Sequence, residues 1–73
     1  MLGPISIDHE VMHGTPCFRG TRVPVANLFQ LLAKGRTLDY FLGQFPTVRR
    51  EDAILVLDLA ADSLARQHPV PAA

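Results

Sequence analysis

Residues 24–66, PVANLFQLLAKGRTLDYFLGQFPTVRREDAILVLDLAADSLAR, decide the fold class, because their apolar side chains recur at helical spacing in three separate runs. The first run opens at Pro24, a residue favoured at the first helical position, and closes at Gly35. It sets Val25, Leu28, Phe29 and Leu32 on one face and Asn27, Gln30 and Lys34 on the other. Thr37 is placed to cap a second, short helix by accepting from a free backbone N–H. In that helix Leu38, Phe41, Leu42 and Phe45 follow the i, i+3, i+4, i+7 pattern until Pro46 stops it. The third run predicts a helix from about Val48 to about Arg66, with Glu51 and Asp52 near the positive end of its macrodipole. Ala53, Val56, Leu57, Ala60 and Leu64 form one stripe of this helix, and Glu51, Asp58 and Asp62 gather opposite. Leu55 and Leu59 belong to neither set. Either the N-terminal segment buries them or they face a second chain.

Working outward, the first 23 residues are punctuated by Gly3, Gly14, Pro16 and Gly20. Between these lie short β-branched pieces, Ile5-Ser6-Ile7 and Thr21-Arg22-Val23, with Cys17-Phe18 beside Gly20. They predict two or three short strands joined by tight turns. The fold expected is therefore mainly α, a short N-terminal β-hairpin (residues 1–23) followed by a three-helix, homeodomain-like helix-turn-helix bundle (residues 24–67). Residues 68–73 are expected to be a disordered tail.

Composition bounds the function. A chain of 73 residues is one domain, and at this size folding buries only about 60% of the surface the unfolded chain exposes. Small scaffolds usually gain stability from disulfides, a metal or a partner chain. Cys17 is the only cysteine, so no disulfide can form within the chain, and oligomerisation is the expected supplement. A hydrophobic fraction of 48% is too high for a disordered chain. The net charge is zero, but residues 1–50 hold six basic and three acidic side chains, while residues 51–73 hold one and four. The neutral total hides halves of +3 and −3. No apolar run approaches membrane-spanning length, and the opening Met-Leu-Gly-Pro lacks the basic and apolar regions of a signal peptide. A cytoplasmic location is expected.

Several motifs invite chemistry. His9-Glu10-Val11-Met12-His13 matches the zinc metalloprotease pattern, which needs both histidines one turn apart on a helix and Glu10 activating a zinc-bound water. Strand-like residues precede it and Gly14-Thr15-Pro16 follows at once, so a turn carrying chance histidines is the reading preferred, with no metal or other cofactor. Cys17 and Arg22 resemble a phosphatase loop, but with four intervening residues where that loop has five. Cys17 reads as a small buried hydrophobe. Arg19, Arg22, Lys34 and Arg36 lie in a stretch without acidic residues, which suits either a phosphate-binding patch or ion pairs within the same or a second chain. Arg49 and Arg50, at the start of the third helix, could contact guanine or phosphate in a helix-turn-helix, although Glu51 and Asp52 follow immediately.

The segment from Ile5 to Val25 resembles the opening of family 433 of the domains of unknown function, typically I-x-x-D-P-x-V-x-x-G-x-P-x-I-x-G-T-R-I-x-V. Ile5, Asp8, Val11, Gly14, Pro16, Gly20, Thr21, Arg22 and Val25 match, and Leu31, Leu32, Gly35, Phe41, Phe45-Pro46 and Glu51-Asp52 resemble later positions. The resemblance extends over roughly residues 5–65. It implies a hairpin-plus-three-helix domain, often dimeric, of a kind commonly described as antitoxins of the VapB type that inhibit a PIN-like ribonuclease toxin. It implies no catalysis. His9 and His13 stand where the family often has proline and glycine, which favours coincidence for the zinc pattern. Arg49 replaces a frequent Ser or Thr helix cap, leaving Thr47 as a possible cap for a helix that starts earlier.

The reading that follows is a non-enzymatic, dimeric antitoxin-like module that neutralises a ribonuclease toxin, its basic N-terminal part contacting either operator DNA or a sister chain. The alternative is a homodimeric DNA-binding regulator without a toxin, and zinc-dependent hydrolysis through His9, Glu10 and His13 is remote. Arg19, Arg22, Arg36, Arg49 and Arg50 are the candidate nucleic-acid contacts. Leu55, Asp58, Leu59 and Asp62 are the candidate partner or dimer surface. Gly20, Thr21, Arg22 and Pro24 form the structural turn motif, in which Arg22 bridges a carboxylate within a dimer or contacts phosphate.

Overall fold

The computed structural model describes residues 3–10 and 12–67; the expected tail, residues 68–73, lies outside them. Its elements in chain order are β1 (Ile5–Ser6), a 3₁₀ turn at Met12–Gly14, β2 (Cys17–Phe18), α1 (Val25–Ala33), α2 (Leu38–Gln44) and α3 (Arg50–Gln67). The chain is mainly helical with a short antiparallel two-stranded hairpin at its N-terminus, as the pattern predicts. The strands pair Ile5 with Phe18 and Ser6 with Cys17.

The third β-branched piece is not a strand. Residues 18–23 form a tight reversal closed by the Phe18 N–H donating to the Val23 carbonyl at 2.9 Å. The Thr21 hydroxyl holds it from inside, donating to the Phe18 carbonyl at 2.8 Å and accepting from the Val23 N–H at 3.0 Å. Gly20 has a φ of +73°, a conformation costly for residues with a Cβ, which explains glycine at this position. β1 also ends earlier than expected, and Ile7 is exposed.

The reversal aims Phe18 into the core with Leu28, Phe41, Val48, Ala53 and Val56. The ring of Phe41 sits between Phe18 and Phe45, at centroid distances of 5.6 and 5.1 Å in tilted arrangements that suit aromatic quadrupoles. All three helices and the hairpin therefore share one small core.

The helix boundaries follow local chemistry, with four departures from the sequence reading. Pro24 is the cap of α1 and not its first residue; its extended ψ of 137° turns the chain into the helix. On α1, Leu31 packs against the core and Phe29 is exposed, so the buried face is rotated toward Leu28, Leu31 and Leu32. α3 begins at Arg50, two residues later than expected, and Arg49 supplies the carbonyl that accepts from the N–H groups of Asp52 and Ala53. Leu64, placed on the core stripe, is 60% exposed, because α3 outruns the body it packs on. Thr37 caps α2 as predicted, its hydroxyl accepting from the Tyr40 N–H at 3.0 Å.

Candidate binding site at the Arg19–Arg22 turn

The tight reversal and the segment leading into α3 meet on one side of the molecule. Arg19 reaches across 33 positions to Asp52, its Nε donating to Oδ2 at 3.2 Å and its Nη2 to Oδ1 at 2.9 Å. The carboxylate is buried, while 46% of the arginine side chain stays in solvent. A bidentate, charge-assisted pair of this kind fixes both position and orientation of the guanidinium. Sequence reading had Asp52 only as a partner of the macrodipole, because a contact between residues 19 and 52 leaves no mark in local spacing.

Two adjoining depressions flank this pair. The larger, about 530 Å³, is lined by Ser6, Asp8, Thr15, Cys17, Gly20, Thr21, Arg22 and Thr47. The smaller, about 350 Å³, is lined by Arg19, Gly20, Thr47 and Arg49. Gly20 and Thr47 form the sill they share. Thr47 is thus a lining residue of both, where the sequence suggested a helix cap.

The five candidate nucleic-acid arginines separate into two groups. Arg19, Arg22 and Arg49 surround the depressions. The side chains of Arg22 and Arg49 have no ion-pair or hydrogen-bond partner among the described residues. Arg36 and Arg50 are carried to the first turn of α2, Arg36 lying over the Tyr40 ring at 4.9 Å and Arg50 pairing with Asp39. Of the structural turn motif, Gly20 and Thr21 shape the reversal and Pro24 caps α1, while the Arg22 side chain is exposed.

Neither catalytic pattern is assembled. His13 has a φ of 56°, outside the helical region, so His9 and His13 do not share a helix face one turn apart. The Glu10 N–H instead closes a local turn by donating to the Asp8 carboxylate at 2.9 Å. Cys17 is buried and its thiol donates to the Thr15 carbonyl at 3.3 Å. Among the described residues no group of three His, Cys, Asp or Glu side chains stands close enough to share a metal ion, and no helix is long and apolar enough to cross a membrane.

The second surface is the outer side and far end of α3. Leu55 and Leu59 are 44% and 49% exposed, with Asp58 and Asp62 between and beside them. Ile54, which sequence reading did not single out, is also exposed, and Asp62 forms an i, i+4 pair with Arg66 at 3.0 Å. From Ala61 to Gln67 every residue is exposed.

The family described as "Protein of unknown function (DUF433)" matches residues 5–60. The chain belongs to this family. No curated protein and no solved structure gives a significant match. The span shared with DUF433 contains both strands, the arginine turn, α1, α2 and the packed half of α3, and ends where α3 leaves the core.

Proposed function

We propose that this DUF433 protein is a non-enzymatic, antitoxin-like module, dimeric in its free form, that neutralises a ribonuclease of the PIN-like class by binding it through α3. The observation that carries the reading is the exposed strip of Leu55 and Leu59 interleaved with Asp58 and Asp62. Exposed apolar side chains grouped on one helix, rimmed by charge, are characteristic of surfaces that meet a protein partner. A nuclease lines its RNA path with basic groups, so two carboxylates one turn apart can occupy phosphate positions while the leucines supply apolar burial.

The test is co-expression with a PIN-like ribonuclease from the same source, followed by RNA cleavage with the purified proteins. Wild-type chain should suppress cleavage, and Asp58→Lys combined with Asp62→Lys should not. Equal suppression by both chains would sink the α3 mechanism.

A further inference from the structure

We infer that the smaller depression beside the arginine turn is a phosphate-binding site, built by Arg19, Thr47 and Arg49. This does not rest on the partner reading, since it uses the arginine turn and the segment leading into α3, and the proposed partner surface uses the outer strip and far end of α3. Two arginines and one threonine supply the polar side chains of the lining, and no acidic residue contributes to it. The guanidinium of Arg19 has five N–H donors and spends two of them on Asp52, so three remain for a ligand. Because a buried carboxylate already holds that side chain, an incoming anion does not have to immobilise it.

The pair with Asp52 is electrically neutral, so Arg19 contributes placement more than charge. The attraction comes from Arg49, which has no ionic partner among the described residues, and from Arg22 across the sill. Asp8 lines only the larger depression and disfavours an anion there, which directs the ligand to the Arg19–Arg49 end. A tetrahedral phosphate has enough acceptor oxygens to take the Arg19 fork, the Arg49 fork and the Thr47 hydroxyl together. Gly20 adds room: a Cβ built on it would meet nothing within 4 Å. The phosphate can belong to a small phosphorylated molecule or to a nucleic-acid backbone.

The experiment follows backbone amide shifts of the full chain by NMR at low ionic strength. The probes are inorganic phosphate, a 5′-mononucleotide with its unphosphorylated nucleoside as control, and a short single-stranded oligonucleotide. Saturable shifts at Gly20, Thr47 and Arg49 are expected with the phosphate-bearing probes and not with the nucleoside. Arg49→Ala should weaken binding roughly tenfold or more while leaving the Leu28 and Phe41 amides in place. Thr47→Ala, at an exposed position, provides a second variant with a smaller expected loss. A small-molecule source is indicated if the mononucleotide binds at least as tightly as the oligonucleotide. A backbone source is indicated if the oligonucleotide binds more tightly, with a salt slope that falls by about one in Arg49→Ala. Absence of saturable shifts with all phosphate probes, or shifts unchanged in Arg49→Ala, overturns the site.

Discussion

Asp52 is the only charged residue buried among the described residues, and everything about it depends on Arg19. The two ends of this pair are not equivalent. Removing the arginine strands a carboxylate in the protein interior, whereas removing the carboxylate's charge leaves a guanidinium that half reaches water. Arg19→Ala should therefore lower stability by about 2–3 kcal/mol, a figure already reduced for the arginine's exposure. Asp52→Asn should cost about 1 kcal/mol. Urea midpoints at unchanged m-value measure both, and equal losses would contradict the asymmetry. Glycines give a second contrast. Gly20 sits in open space at positive φ, so Gly20→Ala should destabilise by about 1 kcal/mol through backbone strain alone. Gly43 lies within α2, also in open space, and Gly43→Ala should stabilise by about 0.5 kcal/mol.

At the scale of elements, α3 is two helices in energetic terms. Its first half buries Asp52, Ala53 and Val56; its last seven residues bury nothing and are held by helix propensity and one exposed ion pair. Hydrogen exchange on the dilute, monomeric chain should show this directly, with amide protection high through about Val56 to Ala60 and falling steeply from Ala61 to Gln67. Uniform protection along α3 would mean that the far half is packed in solution, as a second chain would pack it. Most of the element pattern was legible in local sequence. The Thr37 cap, the Pro46 stop and the apolar spacing of α2 are interactions within a few residues, and each appears where the spacing puts it. What local spacing missed was packing: whether Phe29 or Leu31 faces inward depends on how α1 is rolled against Phe18 and Phe41. The failure at Leu64 has the same origin, since a stripe is buried only as far as its neighbours extend.

For the whole molecule, surface is the decisive quantity. The chain exposes 5451 Å², against about 4,450 Å² for a compact protein of its mass. Its Cα radius of gyration is 13.1 Å, where about 11 Å is expected. The part of α3 that outruns the core adds to this surface, and its exposed leucines are what a second chain would cover. A homodimer built on this surface predicts a thermal midpoint that rises with protein concentration, and Leu55→Glu with Leu59→Glu should abolish that dependence with little change in the dilute-limit midpoint. A midpoint independent of concentration in the wild type would speak against self-association. Sequence by itself determined the number and order of helices, the glycine turn and the membership of a family whose motif runs through that turn, because caps, breakers and periodicity act over short distances. It also separated the charge into a basic and an acidic half. Only the tertiary structure decided what each charge does: that Arg19 is held by Asp52, that Arg36 and Arg50 are drawn to α2, and that Arg22 and Arg49 remain to face the depressions. Those pairings join residues distant in the chain, and their partners are chosen by how the helices pack.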